Sequence, residues 1–236
     1  MTCLADQVWP SAAVGAVAVL RRVGCTVEFD ERQTCCGQPA FNTGYRPEAR
    51  TLAQRLIAIF ESAGADAIVS PSGSCTAMLH HYEQLFDDAA WRARARGLAQ
   101  RAYELSAFLV NRLGVEDVGA RFPGRLAWHD ACHGLRDLGI RDEPRRLLRR
   151  VQGAELVELA PPGAELCCGF GGTFAVKYPE LSVAMLDDRL EAIERADVDA
   201  VVSGDTSCLM QLGGRLARRG SAVRALHLAE VLAGTE

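Results

Sequence analysis

Asp66-Ala67-Ile68-Val69-Ser70-Pro71-Ser72-Gly73-Ser74-Cys75 and Asp199-Ala200-Val201-Val202-Ser203-Gly204-Asp205-Thr206-Ser207-Cys208 are two spellings of one unit. Each opens with a short apolar run of the length and β-branched content expected of a buried strand. Each then passes through small and polar residues and ends in Ser-Cys, where a helical segment is expected. A strand that reaches a helix at a cysteine, twice in one chain, indicates a duplicated α/β unit that carries thiols.

Outward from these stretches, the duplication takes in every cysteine but one. The first set is Cys3, Cys35, Cys36 and Cys75; the second is Cys132, Cys167, Cys168 and Cys208. Pairwise subtraction (132−3, 167−35, 168−36, 208−75) gives offsets of 129, 132, 132 and 133. The middle pair is adjacent in both halves and is followed by glycine, as Cys35-Cys36-Gly37 and Cys167-Cys168-Gly169. A strand-like stretch precedes each pair, at 26–29 and 155–158, and a helix-like segment follows. Ala49, Leu52, Ala53, Leu56 and Phe60 form its 3.6-residue stripe in the first half; Leu186, Leu190 and Ile193 begin it in the second. A thiol array of this kind fits a soft-metal site, above all iron–sulfur. Cys25 falls outside the repeat and reads as a small buried hydrophobe at a helix end.

The chain has 236 residues, enough to bury a sizeable core as one large domain or two smaller ones. With 49% hydrophobic and 24% charged residues its composition is that of a soluble globular protein. A net charge of −4 gives no reason to expect nucleic acid or an anionic membrane as a partner. The longest apolar run near the start, 12–20, is too short to span a bilayer. No basic residue precedes it and no cleavage pattern follows, so no signal peptide is predicted. The expected compartment is the reducing cytoplasm, where nine cysteines indicate metal rather than disulfides. Adjacent cysteines are in any case badly disposed to bond each other.

Strands are expected near 26–29, 66–70, 125–130, 154–158, 198–203 and 222–226. Helices are expected near 11–23, 46–62, 75–86, 91–113, 142–151, 178–195, 206–218 and 227–233. This alternation predicts an α/β fold: two pseudo-symmetric Rossmann-like halves with parallel sheets, 1–118 and 119–236. They meet where Gly114, Gly119, Pro123 and Gly124 break the pattern. Cys75, Cys132 and Cys208 closely follow strands, which puts thiols at the carboxyl ends of the sheets, where ligands gather. Helix N-termini there favour an anionic group. Gly37, Gly169, Gly171 and Gly172 are read as cofactor-binding, letting backbone approach a bulky group. The strand that runs into Cys132 predicts a counterpart upstream of Cys3. Either an earlier natural start or an incomplete sheet edge is expected.

Thr34-Cys35-Cys36-Gly37-Gln38-Pro39-Ala40-Phe41-Asn42-Thr43-Gly44 and Cys167-Cys168-Gly169-Phe170-Gly171-Gly172-Thr173-Phe174 resemble the two CCG motifs of a known iron–sulfur family. So do Ser70-Pro71-Ser72-Gly73-Ser74-Cys75 and Cys208-Leu209-Met210-Gln211-Leu212-Gly213-Gly214-Arg215-Leu216. The family is that of lactate utilization protein A, with the glycolate oxidase iron–sulfur subunit and the CCG-bearing subunit of heterodisulfide reductase as more distant members. The resemblance covers nearly the whole chain. It implies a cytosolic oxidoreductase subunit that transfers electrons in the oxidation of L-lactate to pyruvate. The eight repeated cysteines would be the ligands, and a small 2-hydroxy acid the substrate of the complex.

The chain departs from the fullest form of the motif, which ends in Cys-x-x-Cys. The first member of that pair is Ser72 in one half and Asp205 in the other. Four thiols per half suit a [4Fe–4S] cube, one or two of them per chain, and put in doubt the non-cubane cluster of the reductase relative and its disulfide-reducing chemistry. Asp205 reads as a helix N-cap. Zinc remains an alternative in either set, although four-cysteine zinc sites usually use close Cys-x-x-Cys pairs. Alternatives for the whole chain are a heterodisulfide or thiol–disulfide reductase-type catalyst and a zinc-stabilised scaffold subunit without a redox role.

No Gly-x-Gly-x-x-Gly follows a strand and no ferredoxin cysteine run is present. The chain thus offers no organic hydride acceptor of its own, and partner subunits are expected. His129 and His133 flank Cys132 as candidates for metal binding or proton transfer, with His133, next to the thiol, the better placed in sequence. Lys177, near the second CCG motif, is a candidate to pair with cluster charge or a substrate carboxylate. His80, His81 and His227 read as helix residues, and Arg145, Arg146, Arg149 and Arg150 as a solvated helix face.

Overall fold

The computed structural model describes residues 3–160 and 165–234. The first half runs α1 (Leu4–Val8), α2 (Pro10–Arg22), α3 (Gln38–Asn42), α4 (Arg46–Ala63), β1 (Ile68–Ser70), α5 (Gly73–His81), α6 (Ala89–Ala99), β2 (Ala102–Glu104) and α7 (Leu105–Ala107). The second runs β3 (Arg121–Trp128), α8 (Cys132–Arg136), α9 (Asp142–Leu148), β4 (Gln152–Val157), α10 (Phe174–Lys177), α11 (Pro179–Arg195), β5 (Ala200–Ser203), α12 (Thr206–Arg218), β6 (Arg224–His227) and α13 (Leu228–Ala233). Proline opens the first turn of α2, α4 and α11, where its missing N–H is not needed. Gly64, at φ +64°, ends α4.

Both sheets are parallel, as the alternation predicts. The second has the order β4-β3-β5-β6 and the first the order β1-β2. All four residues of β5 are buried, because helices cover both faces of this interior strand. Val201 sits opposite Ala127 on one side and Ala225 on the other.

Two expected elements differ. Residues 26–29 form no strand. Among the described residues their counterpart β4 has β3 as its only sheet neighbour. The first-half equivalent of β3, expected before Cys3, lies outside the described residues. Among the described residues no strand lies beside 26–29, and without a ladder to join an apolar stretch is not enough to make one. The expected helix 91–113 is broken after Ala99 by β2, which pairs Ala102 with Ile68 and Glu104 with Ser70. Glu104 then caps α7 by accepting from the backbone N–H groups of Ser106 and Ala107. A three-residue strand between helical segments leaves almost no periodicity to read.

The core has three parts. Leu56, Ile57, Met78, Leu79 and Leu98 build one within the first half. Leu186, Leu190, Ile193 and Leu212 build another within the second. The third joins the halves: Val19 and Leu20 of α2 pack with Leu109, Leu126, Leu148 and Leu232. Gly15 lets α2 lie directly on α13, since a Cβ there would stand 2.7 Å from the Ala229 carbonyl oxygen. The halves also touch at the carboxyl ends of β1 and β5, where Ser72 and Asp205 form an antiparallel bridge and Gly73 N–H donates to Gly204 O at 3.3 Å. No helix among the described residues is long and apolar enough to cross a membrane.

Candidate functional site

The bridge between the halves places the thiols. Cys75 is the third residue of α5 and Cys208 the third of α12, so each lies one turn from the end of its strand. Ser72 caps α5 by accepting from Cys75 N–H at 3.3 Å. Asp205 caps α12, as read from the sequence: its Oδ1 accepts from Ser207 N–H (3.2 Å) and Ser207 Oγ–H (2.6 Å). Its Oδ2 reaches into the other half and accepts from Ser74 N–H (2.8 Å) and Ser72 Oγ–H (3.4 Å). One carboxylate thus ties both Ser-Cys turns together, a role that sequence spacing alone does not show. Cys3 immediately precedes α1 and Cys132 opens α8.

The adjacent pairs sit on loops before α3 and α10. Gly37 (φ +83°) and Gly169 (φ +77°) turn the backbone after each pair. Their N–H groups donate to Cys35 Sγ and Cys167 Sγ, both at 3.4 Å. Packing on protein constrains Gly169, whereas at Gly37 the constraint is the left-handed φ alone. A Cβ on Gly169 would stand 2.5 Å from Ser182 O of α11, and one on Gly37 would stand 3.4 Å from Ala49 O of α4. Gly171 and Gly172, by contrast, line the cleft.

All eight repeated cysteines line one cleft between the halves. Cys36 Sγ donates to Cys75 Sγ at 3.7 Å, and Cys168 Sγ to Cys208 Sγ at 3.2 Å. The Cys3 thiol, then the Cys36 thiol and the Gly37 N–H, hold Cys35 down to about 3. Cys132 and Cys168 do the same to Cys167, down to about 2. The donors move the other way: Cys3, Cys36, Cys132 and Cys168 are pushed up by the thiolates they donate to and by burial. Cys75 is lowered by the Cys36 thiol. At Cys208 the Cys168 thiol also lowers, but burial and the charges of Asp205 and Cys167 outweigh it and the net direction is up. Hydrogen bonds within each set thus favour the thiolate form of Cys35 in one half and Cys167 in the other. Thiolate is the form that binds soft metals, and binding releases the remaining protons.

The surroundings of the two sets differ. His129, just past the end of β3, is completely buried. Its N–H donates to Val202 O at 2.8 Å, and its carbonyl accepts from Ser203 Oγ–H at 3.2 Å. Burial, and next the Arg189 charge, keep the imidazole neutral. Arg189 is itself fully buried in α11. Burial lowers it to about 10, against the pull of Asp130, Cys208 and Cys168. The buried positions of α11 match those of α4 at an offset of 133 (182−49, 186−53, 189−56, 190−57), so the first-half counterpart of Arg189 is Leu56.

His133 lines the cleft, but its Nδ1 lies 2.6 Å from Asp137 Oδ2 and its side chain is 36% exposed. Lys177 is exposed and is not among the cleft-lining residues. Cys25 packs against the core that joins the halves. His227 is the N-cap of α13, and its Nε2 lies 3.0 Å from Pro71 O in the other half. Arg145 corrects the reading of a solvated face. Its side chain is 12% exposed and forms a fork with the 2%-exposed Asp130, at 2.8 and 2.7 Å. Tyr82, unremarked in the sequence, donates from its hydroxyl to Cys36 O at 2.8 Å and anchors the first pair.

The cysteine-rich domain known as CCG matches this chain twice, at residues 1–80 and 126–213. Lactate utilization protein A of Geobacillus kaustophilus (strain HTA426) is 48% identical over 233 residues, 98% of this chain and 96% of that protein. Its namesake in Bacillus velezensis is also 48% identical with the same coverage. That of Bacillus subtilis (strain 168) is 45% identical, again over 98% and 96%. With a CCG domain in each half, and nearly half its residues shared with these proteins from end to end, the chain belongs to the lactate utilization protein A family.

Proposed function

We propose that this chain is the iron–sulfur redox subunit of a cytoplasmic complex that oxidises L-lactate to pyruvate. The observation that carries the proposal is the meeting of two matched four-thiol sets, one from each half, on a single cleft. Cys3, Cys35, Cys36 and Cys75 would hold one [4Fe–4S] cluster; Cys132, Cys167, Cys168 and Cys208 would hold the other. When bound, such clusters take up and release single electrons.

The chain's own residues prepare that chemistry. The Gly37 and Gly169 N–H groups stabilise the Cys35 and Cys167 thiolates. The Asp205 carboxylate holds both Ser-Cys turns in place. Gly171 and Gly172 add no side-chain bulk to the cleft they line. The halves 1–118 and 119–236 are the units of this arrangement. Oxidation of a 2-hydroxy acid to a 2-oxo acid removes two electrons and two protons, and the sequence carries no nucleotide-binding fingerprint for an organic hydride acceptor. Partner subunits are therefore expected to handle the substrate. His133, paired with Asp137, is a candidate to move a proton at the cleft; Lys177 is a weaker one, for a substrate carboxylate.

A second reading applies to the second set alone. Ligand atoms of His129, Cys168 and Cys208 lie within 4.8 Å of one another, a grouping suited to a single zinc ion.

Anaerobically purified protein should contain iron and acid-labile sulfide, with broad visible absorption and an EPR signal on reduction. Zinc as the only metal, with no sulfide, would refute the redox proposal. The chain alone should oxidise little or no lactate with an artificial acceptor and should become necessary for turnover when mixed with its partners.

A further inference from the structure

We propose that His129 is a metal ligand in the second site, which therefore offers nitrogen as well as sulfur, whereas the first offers sulfur alone. This rests on the reading of the second cysteine set as a metal centre.

The ring sits where a ligand has to be. Its ligand atom, Cys168 Sγ and Cys208 Sγ all lie within 4.8 Å of one another, and all three residues are buried. Donor atoms that share one tetrahedral ion stand roughly 3.5–3.8 Å apart, from metal–ligand lengths of about 2.0–2.3 Å. Side-chain rotation closes the remaining gap. The main chain cannot carry the ring away, because its N–H and C=O are both engaged, by Val202 and Ser203.

Both ring nitrogens are buried, and neither has a hydrogen-bond partner among the described residues. A neutral imidazole carries one donor and one acceptor, and buried polar groups are nearly always satisfied. His133 and His227, the other histidines of this half, each have partners, Asp137 for one and Pro71 and Ala229 for the other. His129 alone among the three has its ring directed at thiols and otherwise unused. A lone pair on one nitrogen would go to the metal while the other nitrogen keeps its proton, so the imidazole loses none.

The consequence is a difference between the halves. Where His129 takes the place of one of the four thiolates, leaving three sulfurs and one nitrogen, a cluster held there would carry less negative charge and have a higher reduction potential. The buried Arg189 guanidinium, with Leu56 at the matching place in the first half, acts in the same direction. The second site would be the more readily reduced and would receive electrons from the first.

The test uses the full chain, purified anaerobically, in a Cys35→Ser background that leaves the second site as the one to be loaded. Pulsed EPR of the reduced centre should show a coupled imidazole nitrogen. That coupling should vanish in His129→Leu and persist in His133→Gln. Iron bound at the first site of a His129→Leu chain with all cysteines intact checks that the variant folds. A centre with no coupled imidazole nitrogen, or with one that survives His129→Leu, overturns the proposal and leaves the iron–sulfur reading standing. If the site holds zinc, X-ray absorption decides: one nitrogen with three sulfurs supports the proposal although the redox reading fails, and four sulfurs overturn it. A second site that binds neither metal overturns both.

Discussion

Gly169→Ala tests whether the second cysteine loop is held by its contact with α11. The substitution adds one methyl group, and two separate effects follow. At φ +77° an L-residue pays left-handed strain of about 1–2 kcal/mol. The new Cβ would also stand 2.5 Å from Ser182 O, a backbone atom in the first turn of a 17-residue helix. Relieving such a clash costs typically about 1–3 kcal/mol in a packed region. The sum is about 2–5 kcal/mol, a large share of the roughly 5–15 kcal/mol that holds a domain together. Gly37→Ala is the matched control. It meets the same strain at φ +83°, but its Cβ would have 3.4 Å to Ala49 O, so about 1–2 kcal/mol is expected. Urea unfolding of anaerobic protein reads both, alongside metal bound per chain. Gly169→Ala should shift the midpoint more and should lose metal from the second site. Equal destabilisation by the two variants, or greater loss in Gly37→Ala, would refute the packing argument and leave φ strain as the whole effect.

Arg145→Ala leaves the buried Asp130 carboxylate with Trp128 Nε1–H as its remaining side-chain partner and should cost about 3–5 kcal/mol by urea unfolding; a cost under about 1 kcal/mol would mean that the pair is effectively solvated. Burial raises Glu104 from 4.5 to about 7. The folded chain then keeps a proton that the unfolded chain has lost, so stability falls as pH rises through that window and levels off above it. Glu104→Gln should remove up to about 3 kcal/mol of the fall between pH 5 and 8, and an unchanged slope would exclude Glu104 as its source. Cys35→Ser and Cys168→Ser should each abolish metal binding at one site, while Cys25→Ser, a change outside both sets, should leave metal content as it was.

The duplication, the parallel α/β class and the convergence of thiols on strand ends are all legible in the chain. They depend on local periodicity and on spacing, which one sequence displays directly. The strands around Cys75 and Cys208 are readable because apolar runs lead straight into capped helices. Elements that need a partner are not readable in this way. Residues 26–29 have the content of a strand but no neighbour among the described residues, and Ala102–Glu104 is a strand because Ile68–Ser70 lies beside it. The same limit applies at the site. His129 and His133 are both near Cys132 along the chain. Which of them faces buried sulfur and which pairs with Asp137 at the surface depends on the end of β3 lying against β5. Asp205 reads as a helix cap, but its hold on Ser74 exists only because the two halves meet there. The sequence alone determines which residues repeat and what chemistry they can offer. The tertiary structure decides which of them meet, because pairing and burial are set by neighbours far away along the chain.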